Sequence, residues 1–176
     1  MVVFRSAHAL GLSMKVLREE MDAELKDIVV PALRQSGFKG SLPHFRRPGP
    51  TAIDLLTFQF DRHGGGFVME IARCSTAGFT THWGKHIPAS KVSAWDLHPD
   101  QRYRIQPRPG CGIDAWFRFD TDQAKHVAQQ VLEALPRAES WWREAQPVAA
   151  ADRPLSQVVE AVETPKIGKI CKCICM

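Results

Sequence analysis

The sequence predicts an α+β domain: a small, mostly antiparallel sheet of three to five strands, with an N-terminal and a C-terminal helix packed on one face and a flexible tail beyond. Three observations predict it. Apolar residues recur every three to four positions between Met14 and Ser36, they alternate at every second position between Thr51 and Ala72, and a second stripe of helical period follows Asp122. Helices flanking a run of strands, rather than alternating with them, define the α+β class.

In the first stripe, Leu17, Met21, Leu25, Ile28, Val29 and Leu33 share one helical face. Gly37 suits the left-handed residue that closes a helix, and Pro31, which has no N–H to donate, predicts a kink or break near Val30. The glycines and prolines between Gly37 and Pro50 leave room for a short edge strand near Leu42 to Arg46. Thr51 to Asp61 reads as a strand carrying Ile53, Leu55, Phe58 and Phe60. Gly64, Gly65 and Gly66 form a turn, and Phe67, Met69 and Ile71 begin a second strand paired to the first as a hairpin.

Ser75 to Gly110 is broken by Pro88, Pro99, Pro107 and Pro109 and reads as irregular, with a short strand near Tyr103 to Ile105. Gly112 to Asp120 alternates again. Asp120 or Thr121 caps a helix from Asp122 to Leu135 whose inner face is Ala124, Val127, Ala128, Val131 and Leu135. Pro136 is expected to end it, and Arg137 to Ala145 to form a short helix presenting Trp141 and Trp142, one indole turned inward and the other toward a partner.

The predicted organisation is a disordered extension over 1–13, read as the product of an early start codon, a domain over 14–145, a linker over 146–165 and a cysteine-rich tail over 166–176. With 176 residues and 44% hydrophobic content the chain can bury a core without disulfides or metal. Its 23 Lys+Arg against 19 Asp+Glu, net +4, fall short of a dedicated nucleic-acid binder, so no nucleic acid is expected as partner. No apolar run approaches the ~18 residues of a membrane helix and no export signal is evident. A cytoplasmic chain with free thiols is therefore expected.

The body, roughly Leu25 to Trp142, resembles a bacterial family known only as domain of unknown function 4304. The matching pieces are Val29-Val30-Pro31-Ala32-Leu33, Ser36-Gly37-Phe38-Lys39-Gly40, Phe45-Arg46-Arg47, the run from Ile53 to Phe60, and the Trp141-Trp142 region. The resemblance implies a fold and no established activity, and it stops before the cysteine tail.

Several motifs have plain structural readings. His82 and His86 have the i, i+4 spacing of zinc enzymes, but Trp83 stands where a catalytic Glu belongs, and Gly84 and Pro88 oppose a helix. The three glycines lack the Lys-Ser/Thr of a phosphate loop. Arg46, Arg47, Arg62 and Arg73 with Phe45 and Phe60 suit RNA in residue type, yet no basic run or known module accompanies them. Cys74 and Cys111 read as inert buried thiols.

The tail is another matter. Three of five cysteines, Cys171, Cys173 and Cys175, alternate with Lys172 and Ile174 ahead of Met176, where no folding argument asks for them. Thiolates and a thioether select soft ions, so these four residues are candidate ligands for Cu(I) or Zn. The Cys-Ile-Cys-Met ending is similar to some methanobactin precursor cores, which implies a ribosomally made peptide modified at Cys171, Cys173 and Cys175. The body would then serve as an oversized leader, with Val158, Val159 and Val162 offering an apolar face to a modifying enzyme. The same four residues fit a prenylation box ending in Met, with Lys166, Lys169 and Lys172 as its basic signal; membrane association is expected only through such lipidation.

The resulting expectation is a non-enzymatic recognition domain carrying a modifiable or metal-binding tail. The alternatives are a protein-binding module of the toxin-immunity kind, using the sheet face with Trp141 and Trp142, and a prenylated anchor. Limited proteolysis is expected to cut between Ala145 and Lys169 and leave a folded body, checked by fragment mass and circular dichroism. Unfolding of that body on loss of the tail would make the tail structural.

Overall fold

The computed structural model describes residues 13–110, 112 and 115–148. Helix α1 (Met14–Glu24) runs without interruption into a π-helical turn (Leu25–Val29) and then α2 (Val30–Gln35). The expected break at Pro31 is absorbed by that turn. Pro31 cannot donate to the fourth residue back, and the chain widens one turn ahead of it, where the Val30 N–H reaches the Leu25 carbonyl five residues earlier. The apolar face therefore stays continuous, and Leu17, Met21, Leu25, Val29 and Leu33 are all buried.

Gly37 closes α2 as expected, at φ +86°. The Phe38 N–H bonds the Leu33 carbonyl at 2.9 Å and the Gly37 N–H the Arg34 carbonyl at 3.0 Å, with buried Phe38 and Leu33 completing a Schellman motif.

The sheet follows the chain through β1 (Lys39–Ser41), β2 (His44–Pro48), β3 (Ala52–Phe60) and β4 (Gly66–Ser75), all antiparallel. The single edge strand expected near Leu42 is thus a hairpin, β1 with β2. A two-stranded hairpin, β5 (Phe79–Thr80) with β6 (His86–Ile87), and two 3₁₀ turns, Ala94–Asp96 and Pro99–Gln101, occupy the segment read as irregular. Then β7 (Arg102–Ile105) pairs Met69 to Ala72 of β4, and β8 (Phe117–Arg118) pairs Gly66 and Phe67 on the same edge. The sheet is five positions wide, in the order β1-β2-β3-β4-β7, with β8 continuing the outer row.

Strand β8 is far shorter than the alternation from Gly112 to Asp120 suggested; Cys111, Ile113 and Asp114 lie outside the described residues. Its neighbour is the three-glycine turn. The Phe119 N–H bonds the Gly65 carbonyl at 2.7 Å, and a Cβ on Gly65 would lie 2.2 Å from the Cβ of Asp120. Glycine is required there by close approach, not by an anion.

Helix α3 (Ala124–Glu144) corrects the expected stop at Pro136. Pro136 lies on the exposed side, while Val127, Val131, Ala134, Ala138 and Trp142 form one buried stripe through it. Burial along that stripe outweighs the one hydrogen bond the proline removes. The N-cap position falls at Gln123 rather than at Asp120 or Thr121, and the Gln123 N–H donates to Asp122 Oδ1 at 2.8 Å.

Both helical segments pack on one sheet face, over Phe45, Leu56, Phe58, Phe67, Met69, Ile71 and Ile105. Trp142 is the largest residue buried there, 2% exposed, and is the indole turned inward into the core. Its indole N–H donates to the Ala72 carbonyl at 3.0 Å, and its ring meets Phe38 at 5.2 Å. Trp141, half-buried, stacks on Tyr103 of β7 at 5.9 Å.

Where β7 ends, β4 still presents backbone groups, and residues beyond α3 take them up. The Val148 N–H bonds the Arg73 carbonyl and the Ser75 N–H bonds the Val148 carbonyl, each at 3.0 Å, in a parallel bridge. The stretch expected to be a featureless linker from Gln146 is therefore tied to the sheet as far as Val148. Replacing Trp142 by Ala is expected to destabilise the fold by about 3–5 kcal/mol, the usual range for emptying a buried aromatic site, measured by urea unfolding. Trp142→Phe, which keeps a ring but removes the indole bond to the Ala72 carbonyl, should fall between the wild type and Trp142→Ala.

Candidate functional site

The helices cover one face of the sheet, and a thinner layer covers the other. On this second face β3 and β4 present Ile53, Leu55, Ala72 and Cys74, and the β5–β6 hairpin with the first 3₁₀ turn lays Phe79, Val92, Ala94 and Leu97 upon them. Arg46 straps the layer down, its Nε donating to the Val92 carbonyl at 2.5 Å and its Nη2 to the Lys91 carbonyl at 3.2 Å. Ser93 gives both its N–H and its hydroxyl to the Asp96 carboxylate, each at 2.8 Å. That capping box holds Trp95 outward, 48% exposed and edge-on to His44 at 5.8 Å.

Between hairpin and turns lies a cleft of about 650 Å³, a volume suited to a small ligand or a few residues of peptide. Phe79, Trp83, Trp95 and Leu97 supply its apolar walls, His82, Asp96, His98 and Arg102 its polar ones, and Val148 closes one side. Trp83 is 66% exposed. It sits in the turn that Thr81 makes with Lys85, where the Lys85 N–H donates to Thr81 Oγ1 at 3.0 Å and the Thr81 N–H to the Lys85 carbonyl at 2.9 Å.

Polar residues beneath this layer form a row across the sheet. His44 Nδ1 lies 3.1 Å from Thr57 Oγ1, and next in register Glu70 accepts from Arg102 at 2.7 Å and Arg104 at 3.4 Å. Glu70 is 7% exposed, and its two guanidiniums supply the pairing that a buried carboxylate requires. Burial, aided by the charge of Arg46 and opposed by Asp96, lowers the basicity of His44.

His82 and His86 belong to the β5–β6 hairpin and not to a helix; His86 Nδ1 is 3.2 Å from Thr80 Oγ1, and His82 meets Trp83. Among the described residues no group of three or more His, Cys, Asp or Glu side chains is arranged to hold a metal ion. Arg47 grips Glu139 with two bonds at 2.7 and 2.8 Å and Asp54 at 3.0 Å, and Arg73 reaches Asp54 and the last carbonyls of α3. Arg46, Arg47 and Arg73 are therefore engaged within the fold, and Phe45 is buried. Phe60 carries Arg18 at 3.2 Å over its ring.

Cys74 is buried, and burial together with the negative charge of Asp54 pushes its thiol up to about 11. It is the inert core thiol expected. Cys111, Val158, Val159, Val162, Cys171, Cys173, Cys175 and Met176 lie outside the described residues.

The cleft itself was missed by sequence reasoning, because its walls come from segments far apart in the chain. One local signal was present: Ser93-Ala94-Trp95-Asp96 has the spacing of a capping box, which marks an ordered turn inside a segment otherwise read as irregular.

An antiparallel sheet with helices on one face and a hairpin-and-turn layer bearing a cleft on the other defines an α+β domain. A family model described as a domain of unknown function (DUF4304) matches residues 29–145, and the chain belongs to that family. No curated protein and no solved structure matches it. Among the described residues no helix is long and apolar enough to cross a membrane.

The lowered basicity of His44 has a thermodynamic consequence. The unfolded chain takes up a proton near pH 6.5, while the native imidazole resists it until lower pH. Native stability from this group is complete above that unfolded value and is lost as pH falls through the interval down to the folded one. Urea midpoints of the wild type are expected to drop relative to His44→Gln between pH 7.5 and pH 5; a constant difference would contradict the assignment.

Proposed function

We propose that the chain is a non-enzymatic recognition domain carrying a thiol-rich C-terminal tail that serves as the substrate of a modifying enzyme and binds a soft metal ion, Cu(I) before Zn. The observation that carries this reading is the position of Val148. It is tied to β4 by two backbone hydrogen bonds and is also a wall of the aromatic cleft. The linker that leads to the tail is thus anchored at a fixed point beside a surface of the kind that binds ligands, a concave apolar wall with a few convergent polar groups. A partner seated there would find the tail tethered and locally concentrated.

The cysteines divide accordingly. Cys74 is spent on packing, with a thiol too weakly acidic to offer a thiolate near neutral pH. Soft-metal chemistry falls to Cys171, Cys173 and Cys175, with Met176 as a weaker thioether ligand and Lys166, Lys169 and Lys172 favouring the thiolate form. Alternate residues of an extended chain lie about 6–7 Å apart on one side, and a bend brings their sulfurs around one ion.

A second reading has its own observation. Tyr103, 41% exposed, and half-buried Trp141 stack at the outer edge of the sheet. An aromatic pair of this kind suits a protein-binding module of the immunity type.

Titration of the reduced full-length chain with Cu(I) tests the first reading. The triple variant Cys171→Ser, Cys173→Ser, Cys175→Ser is expected to lose stoichiometric binding, and Cys74→Ser with Cys111→Ser to retain it. Equal binding by both variants removes the metal, and an unshifted intact mass from the native host removes the modification.

A further inference from the structure

The cleft leaves two tryptophans in contact with water, Trp83 at 66% and Trp95 at 48% exposure. Large apolar side chains gathered at one concavity mark a binding surface. The chain's own path indicates what comes near it. The Val148 bridge is parallel to β4, so at Val148 the backbone points the same way as β4 does where it leaves Cys74 for Ser75 and the β5–β6 hairpin, whose Phe79, Thr80 and Thr81 line the cleft.

We propose that the cleft is occupied in cis by the chain's own segment Arg153-Pro154-Leu155, with Pro154 and Leu155 against Trp83 and Trp95. Reach permits it. Leu155 is seven residues beyond Val148, which an extended chain covers in at most about 25 Å, and Val148 is already on the cleft wall.

Chemistry favours this segment over its neighbours. Residues 149–151 are alanines, too small to fill an aromatic cleft, whereas Pro154 and Leu155 are the first bulky apolar residues after them. A proline ring on an indole is the contact used by grooves that bind extended proline-containing peptides. Arg153 brings a cation toward Asp96, the carboxylate of the cleft wall.

The tether makes a weak contact sufficient. At an effective concentration of about 1 mM, an intrinsic Kd of ~0.1 mM leaves the cleft about 90% occupied. Docking would then move the last anchored point before the tail from Val148 to Leu155, and a partner peptide would have to displace the segment. None of the docking residues is a proposed metal ligand or one of Val158, Val159 and Val162, so this inference and the tail chemistry fail separately.

The test uses the full-length chain, with Pro154→Ala and Leu155→Asp combined in one variant and the indole N–H signals of Trp83, Trp95 and Trp142 followed by NMR. The Trp83 and Trp95 signals are expected to move in the variant while that of Trp142 stays, which also shows that the core is intact. A synthetic peptide of residues 150–157 should bind the variant saturably and the wild type about tenfold more weakly, since the cis segment competes, and adding Trp83→Ala to the variant should abolish binding. Unmoved indole signals, equal peptide affinity for wild type and variant, or no binding to the variant would each overturn the proposal. A wild-type spectrum that changes on dilution would overturn it in favour of exchange between copies.

Discussion

Burial of one hairpin on both faces governs this structure. Strands β3 and β4 pair from Ala52 opposite Ser75 to Phe60 opposite Phe67, and nearly every residue of β4 is buried. A sheet covered on one side only shows strict alternation of buried and exposed positions; one covered on both sides does not. The helices account for the first face. The second face obliges the segment from Phe79 to Leu97 to lie down as a layer despite having little regular structure, and the cleft is the space left between its parts. The cleft is in this sense a by-product of covering Ile53, Leu55, Ala72 and Cys74.

Much of the helical face was legible in the sequence because it depends on period alone. The stripes of Leu17 to Leu33 and Ala124 to Val131 predicted both helices, and the alternation around Ile53 and Phe67 predicted the hairpin. The errors arise where a local rule competes with a longer pattern. Pro31 and Pro136 each forbid one hydrogen bond and crowd the preceding turn, a cost of about 3 kcal/mol in a helix interior, whereas the stripes through them bury several side chains worth about 1.5–3 kcal/mol apiece. The stripe wins in both places, by a π turn at the first and by turning the ring to the exposed side at the second. The second face was harder to read. Apolar Val68, Ala72 and Cys74 opposite apolar Phe67, Met69 and Ile71 did signal two-sided burial, but the residues lining the cleft are brought together only by topology. A parallel bridge from Val148 has no signature in sequence, since what it satisfies is the unpaired edge of a strand elsewhere.

Electrostatics serve alignment in this molecule more than stability. Arg47 joins β2 to β3 through Asp54 and the sheet to α3 through Glu139, while its guanidinium also lies over Phe38 at 4.7 Å and Trp142 at 5.2 Å. Burial pushes Asp54 above the usual carboxylate range despite the pull of Arg47 and Arg73. The ion pairs therefore offset much of a desolvation cost instead of adding a large surplus, as is common for buried pairs. Their value is directional. A helix that slid along the sheet would keep its apolar contacts in approximate form but would leave Arg47 without Glu139, and Trp142 without the Ala72 carbonyl.

The pairing of the first helix with the last has a consequence for biosynthesis. Leu17, Met21 and Leu25 share their core with residues of α3 such as Val127 and Val131, more than 100 residues later in the chain. The intervening sheet is mostly a meander of sequence neighbours and can assemble as it emerges. At about 5–20 residues per second, the greasy side of α1 waits roughly 5–20 s for its lid to be translated. During that interval the nascent chain is a client for whatever shields apolar helices at the ribosome, and its risk of aggregation is set by the speed of elongation through the strands and not by the stability of the finished fold.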